Sequence, residues 1–321
     1  MSDVIGLIIP FFGLILLGVI AARTAKLPDD ALGWINVFII YFALPALFFQ
    51  LLSKTPVDQL TEWSYISGTV LATFLVFSIM FVGSLLLQKG LAESTIKGLA
   101  AAYGNIGYMG PGIAILAFGQ GAAVPVALIF CFENLMHFTI APLMMALAGK
   151  SDESPFILAG QIVKKIVLHP FIVATAFGVT AAVLRLEIPG PLDRLLVTLS
   201  QAAAPCALFA MGVTLVSRPL KRLPSTIVQI SILKLAVHPV LCYLILSWIG
   251  DFSPVWAFTA VLLAALPTAT NVFVIGQQYG VWVERASASI LITTVLSVVT
   301  VTVILYAIKN GTLPPDLFPN R

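Results

Sequence analysis

Glu133 and His137, in CFENLMHF, stand four residues apart, as do Lys234 and His238, in KLAVHP. On a helix that spacing puts each pair on one face. The surrounding runs are apolar enough for a bilayer, where an ionisable side chain costs at least ~2.5 kcal/mol on insertion scales. Each such residue therefore needs a partner or a task. In one reading Glu133 and Lys234 neutralise each other as a structural ion pair. In the other, Glu133 carries a proton, and Lys234 gates it or supplies a counter-charge for an anion. His137 alone reads more simply as a hydrogen-bonded core residue than as a shuttle. His169 and His238 each precede a proline at an expected bend and are assigned no chemistry.

Two interrupted apolar runs offer a different chemistry. Residues 99–120, LAAAYGNIGYMGPGIAILAFGQ, carry Gly104, Asn105, Gly107, Gly110, Pro111 and Gly112 in their middle. Proline has no N–H and clashes with the preceding turn, while glycine lowers the cost of leaving helical geometry. The run reads as two half-helices joined by an unwound link at 105–111, or as one Pro-kinked helix packed through small residues. Residues 264–280, AALPTATNVFVIGQQYG, are interrupted at 267–271 in the same way. A break at membrane depth is tolerated only where it is buried in protein or lines a watery cavity. There the exposed N–H groups and dipole of a half-helix favour an anion without any fixed cation. The binding candidates are Asn105, Tyr108, Pro111, Pro267, Thr268 and Asn271, and the ion-coupling candidates are Glu133, His137 and Lys234. Tyr108 could gate or stack, although a core or lipid-facing aromatic is the commoner role. Gln277 and Gln278 read as interfacial.

The elements that must position these residues follow from composition. The chain has 321 residues, 60% hydrophobic and 10% charged, against about 25% charged in a soluble domain. A membrane helix needs about 20 mostly apolar residues. By that measure the spans are expected at 4–22, 32–52, 65–88, 96–118, 122–148, 165–184, 192–216, 225–249, 254–278 and 286–308. The expected fold is an all-α membrane protein of ten transmembrane helices, with a tight turn near 119–121. Most of the 17 Lys and Arg residues fall in loops that share one side. The positive-inside rule then places both termini outside and the polar connector 149–160 in the cytoplasm. The three cysteines lie in apolar runs, so neither a disulfide framework nor a metal cluster is expected. The N-terminus lacks the basic region of a cleaved signal peptide.

The halves repeat at an offset of 160–161 residues. Ile9-Pro10-Phe11 matches His169-Pro170-Phe171, and GVIAA at 18–22 matches GVTAA at 178–182. Leu27-Pro28 matches Ile188-Pro189, and Ala43-Leu44-Pro45 matches Ala203-Ala204-Pro205. The same offset sets the second broken run beneath the first. Five spans per half is odd, so the second half must enter from the opposite side. An inverted repeat with broken helices in matching positions points to a transporter site. The domains expected are 1–148, the linker 149–160, and 161–321.

The motifs YFALPALFF, GNIGYMGP, KLAVHP and LPTATNVFVIGQQYG resemble the auxin efflux carrier family over almost the full length. That resemblance implies two inverted five-helix repeats with helices 4 and 9 broken and crossing. It implies a scaffold of helices 1, 2, 6 and 7 and a transport core of 3–5 and 8–10. Plant members carry an Asn-Pro-Asn motif at the fourth-span crossing and a long central loop. Here Asn105 is followed by a proline only at Pro111, and 149–160 is short, which argues against auxin itself. Bacterial members are associated with small carboxylates such as malate or malonate. The related sodium–bile acid symporters share the crossed-helix plan.

The expectation is thus an inner-membrane secondary transporter of a small organic anion, working by alternating access. No cofactor is expected, and the coupling ion is a proton or sodium. Partners are the anion and the lipid bilayer, not nucleic acid, and a homodimer through the scaffold helices is compatible with the plan. A sodium-coupled symporter of a larger anion is the alternative. A channel fits the broken helices but lacks charge rings. An intramembrane protease would want paired aspartates or a Ser/His set, and Glu133 is the only acid within the spans' interior. There is no P-loop to bind ATP.

Overall fold

The computed structural model describes residues 2–25, 31–149, 157, 160, 161, 163, 164, 167–217 and 226–317. Most of the connector 149–160, Leu27-Pro28, and the cations Lys150, Arg218, Lys221 and Arg222 lie outside the described residues. The described chain is helical throughout, with no strand. Among the described residues six helices are long and apolar enough to cross a membrane, and shorter apolar helices occur at Ile9–Thr24, Ile106–Phe118, Pro170–Val183 and Pro254–Ala264. Each of these overlaps one of the ten expected segments, and six of them reach spanning length.

The first helices are α1 (Ser2–Thr24), α2 (Ala31–Phe38), α3 (Leu44–Ser53) and α4 (Trp63–Leu86). The faces of α4 show why this sequence belongs in lipid. Leu71, Phe74, Leu75, Ile79 and Val82 are exposed, whereas Thr69, Thr73 and Ser84 are buried. With its hydroxyls inward and large apolar side chains outward, α4 lacks the polar outer face of a soluble amphipathic helix. The chain goes on through α5 (Leu91–Ala102), α6 (Ile106–Phe118), α7 (Ala123–Leu147), α8 (Pro170–Val183) and α9 (Gly190–Ser217). It ends with α10 (Ile227–Ile232), α11 (His238–Ile249), α12 (Pro254–Ala264), α13 (Asn271–Tyr279) and α14 (Val283–Lys309). Between α6 and α7, Gly119 takes φ +76°, a value that suits glycine, and the N–H of Ala122 closes the turn on its carbonyl.

The chain divides into two compact units. One comprises residues 1–62, 107–131 and 167–219; the other comprises 63–106, 132–166 and 220–321. In the first unit α1 meets α9 backbone to backbone. A Cβ on Gly18 would stand 2.1 Å from the carbonyl oxygen of Phe209, and one on Gly212 would stand 2.0 Å from that of Ile15. Gly178 on α8 lies less tightly against α3, where a Cβ would stand 3.1 Å from Leu52 Cβ and 3.2 Å from the carbonyl oxygen of Phe49. Small residues at such seams let membrane helices approach. Gly18 and Gly178 are also partners in the sequence repeat. Phe48, Phe130 and Phe171 fill the space behind them, the first two stacked at 5.0 Å.

In the second unit, Val76 and Phe77 of α4, Ile96 and Leu99 of α5, and Val272 and Ile275 of α13 share one core. Gly98 lets α5 press against the Phe77 ring. Lys97, expected to be a loop cation, is buried on α5 and paired with Glu93 at 2.5 Å.

Both interrupted runs are broken. The halves α5 and α6 hold 12 and 13 residues, and α12 and α13 hold 11 and 9. At 1.5 Å per residue none of them spans the ~30 Å hydrocarbon core alone. The first break does not lie at 105–111, as expected, but at 103–105, and Pro111 sits inside α6. Pro111 forgoes one internal bond of α6, to the carbonyl of Gly107, and the helix continues through it. Residues 103–105 have a better use, because they pair with the second break.

Candidate functional site

The two breaks hold each other. The N–H of Asn105 donates to the carbonyl of Pro267 at 2.8 Å, and the N–H of Ala269 donates to that of Tyr103 at 2.8 Å. Gly104 and Thr268 form the antiparallel bridge at the centre. Two of the donors and two of the acceptors freed at the breaks are thereby satisfied inside the protein, as membrane depth requires. Thr268 is wholly buried, and its hydroxyl donates to Ala100 O at 2.7 Å, near the C-terminal end of α5. Its own N–H donates to Thr293 Oγ1 at 3.1 Å.

Tyr103 joins three helices. Its hydroxyl donates to Asn134 Oδ1 on α7 and accepts from Asn271 Nδ2 at 2.7 Å. Its ring stacks on His137, centroids 4.0 Å apart at 16°. His137 is fully buried, but it is not the hydrogen-bonded core residue expected: neither ring nitrogen has a hydrogen-bond partner. Packing on an aromatic face holds the ring instead.

Glu133 and Lys234 do not touch. Glu133 Oε1 accepts from Thr73 Oγ1 at 2.8 Å, and Thr73 Oγ1 lies 3.0 Å from His238 Nε2. His238 Nδ1 lies 2.8 Å from Lys234 Nζ, which also donates to Ala264 O at 2.7 Å. The direct ion pair is thus replaced by a chain through two uncharged side chains. His238, assigned no chemistry from sequence, is a middle link of it. The local fold places the ends. Residues Leu233–Val237 form a π turn, and Pro239 follows at the second position of α11. The wider turn accommodates a residue with no N–H to give. It aims Lys234 at the last carbonyl of α12, where the helix dipole favours a cation. The ammonium lies against the crossing: a Cβ on Gly104 would be 3.3 Å from Nζ.

The sequence candidates are therefore divided. Asn105, Pro267, Thr268, Asn271, Glu133, His137 and Lys234 all belong to the second unit, along or beside the paired breaks. Tyr108 and Pro111 belong to the first. There Pro111 lines a cavity of about 820 Å³ together with Gln50, Lys54, Gln120, Ser200 and Gln201. Lys54 and Gln50 both bond to Asp193 Oδ1, at 3.3 and 2.9 Å. Tyr103, Asn134, Thr73 and His238 are the residues that sequence reasoning missed. Tyr103 adjoins the Gly104-Asn105 pair, which was a usable signal, whereas a mid-span threonine such as Thr73 gives none.

An all-helical, multi-pass membrane protein with two short helices broken against each other and a buried polar core is built as a transporter. A family model described as "Membrane transport protein" matches residues 3–305, and the chain belongs to that family, the auxin efflux carrier family. A protein of Rhizobium meliloti (strain 1021) named "Putative malonate transporter" is 60% identical over 99% of this chain and 100% of its own length. An "Uncharacterized transporter" of Methanothermobacter thermautotrophicus is 26% identical over 89% of this chain and 92% of its own length. The "Uncharacterized transporter YfdV" of Escherichia coli (strain K12) is 22% identical over 94% and 96%. The family and these relatives are transporters, not enzymes.

Proposed function

We propose that this protein is a secondary carrier of a small dicarboxylate of the malonate class, working by alternating access in the bacterial plasma membrane. The observation that carries the reading is the pairing of the two breaks at Asn105–Pro267 and Tyr103–Ala269, with the Lys234 ammonium against it. The half-helix α13 starts at this point, so its N-terminal dipole and the side-chain amides of Asn105 and Asn271 offer an anion its donors. Lys234 lends a positive charge from behind. The malonate-named relative at 60% identity supports the substrate class. The reading includes a ten-helix inverted repeat, supported by the matched glycines Gly18 and Gly178 at close approaches. It also includes a scaffold of helices 1, 2, 6 and 7, and both termini outside.

The test is counterflow of labelled malonate in proteoliposomes, with monocarboxylates and longer dicarboxylates as competitors, in sodium and sodium-free buffers. Saturable counterflow inhibited best by short dicarboxylates is expected. Absence of flux for every carboxylate tested would overturn the reading. Flux in sodium alone would shift it to a sodium symporter.

A further inference from the structure

We infer that Glu133, Thr73, His238 and Lys234 form a proton relay that switches the charge at the crossing of the two broken helices. All four side chains are buried, three of them at 0–1% exposure and Glu133 at 4%. Their three links measure 2.8, 3.0 and 2.8 Å. The donors fix a single direction. An ammonium has only protons to give, so His238 Nδ1 accepts from Lys234 and the ring carries its proton on Nε2. That N–H donates to Thr73 Oγ1, whose own hydroxyl donates to the Glu133 carboxylate. Thr73 Oγ1 also lies 3.1 Å from Thr69 O, but the charged acceptor is nearer and draws the proton more strongly.

The transfer balances at every atom. Lys234 gives a proton to His238 Nδ1, His238 gives its Nε2 proton to Thr73 Oγ1, and Thr73 gives its hydroxyl proton to Glu133 Oε1. One N–H bond breaks on Lys234, one O–H bond forms on Glu133, and the links between end as they began, except that His238 changes tautomer. The product is a neutral amine at the crossing and a carboxylic acid on α7. Glu133 Oε2 is buried and has no protein partner, so the protein offers this carboxyl no other route for its proton than the relay. The other titratable groups facing the relay are Tyr65, Tyr103, Cys242 and His137. None of them is among its links. The relay rests on the transport reading only for the cargo to which its proton is coupled.

The test needs no substrate. After a pH jump on protein in liposomes, time-resolved infrared follows the carboxyl band that is lost in Glu133→Gln. Thr73→Val removes the hydroxyl at nearly constant volume, and Thr73→Ser keeps it. The band is expected to respond roughly a hundredfold more slowly in Thr73→Val, the usual worth of a positioned proton carrier, and at the wild-type rate in Thr73→Ser. His238→Gln, which keeps hydrogen bonds but passes no proton, is expected to be equally slow and serves if Thr73→Val does not fold. An unchanged rate in either broken-relay variant, or an equal slowing in Thr73→Ser, would overturn the relay. A wild-type protein that moves no malonate would count against the transport reading and leave these rates standing.

Discussion

A methyl group on Gly104 would stand 3.3 Å from the ammonium nitrogen of Lys234. Glycine at this position therefore leaves room for a buried cation, Lys234, beside the paired breaks. Gly104→Ala asks the lysine to yield by a few tenths of an ångström, whereas Gly104→Val asks for far more. The alanine variant is expected to fold and to keep reduced counterflow. The valine variant is expected to lose counterflow, because Lys234 is pushed off Ala264 O. Equal flux in Gly104→Val and wild type would show that the lysine's placement does not matter for transport.

Tyr103→Phe tests the three-helix junction. The variant keeps the ring on His137 but leaves the amides of Asn134 and Asn271 each short of a partner. A buried group so orphaned costs ~1–3 kcal/mol. A lowered melting temperature in detergent is expected, with weakened malonate binding because Asn271 is no longer held. A melting curve like that of wild type would mean that water replaces the hydroxyl.

Pro267 tests whether the second break matters. Its carbonyl accepts from Asn105, and it has no N–H to continue α12. Pro267→Ala restores that donor, so the gap between α12 and α13 is expected to shorten toward a continuous helix. The protein should still insert and migrate as a single species, while counterflow falls to background. Wild-type uptake by this variant would make the break a matter of packing.

How much of this was legible in the sequence depends on what sets each feature. Pro267, Thr268 and Asn271 are local helix breakers, and the second gap, 265–270, falls where they predict it. The first gap lies at 103–105 rather than 105–111 because its position is set by a partner, Thr268, 164 residues from Gly104. No local rule makes Tyr103 rather than Pro111 the exchange point. The pairing of Glu133 with Lys234 was read from charge alone. Charge complementarity says that two groups belong together, but not that Thr73 and His238 stand between them. His137 was misread for a related reason: an aromatic face on one ring is as invisible in sequence as a hydrogen bond.

Orientation is a separate expectation, resting on the loop cations. Asn310 is exposed just beyond the end of α14. With both termini outside, Asn310→Cys in a background lacking the native cysteines should react readily with an impermeant thiol reagent on intact cells. Ser151→Cys, in the connector that this orientation places in the cytoplasm, should react only after permeabilisation. The reverse pattern would invert the topology.

The last prediction separates a structural polar chain from one that carries coupling. Lys234→Met leaves Ala264 O and His238 Nδ1 without their donor and Glu133 without a nearby positive charge. Removing one member of a buried charge pair costs about 3–5 kcal/mol, so this variant is expected to be the least stable of the series. Glu133→Gln combined with Lys234→Met removes both charges and is expected to recover a large part of that loss. What happens to transport then decides between the roles. If the charges only neutralise each other, the double variant should both exchange malonate and accumulate it against a gradient. If they hold the coupled proton, it should exchange malonate across the membrane and fail to concentrate it under an imposed proton gradient. The second outcome is the one expected, because the chain joins Glu133 to a lysine lying against the paired breaks, where a change of charge acts on a bound anion. Accumulation by the double variant at the wild-type level would assign the chain to structure alone.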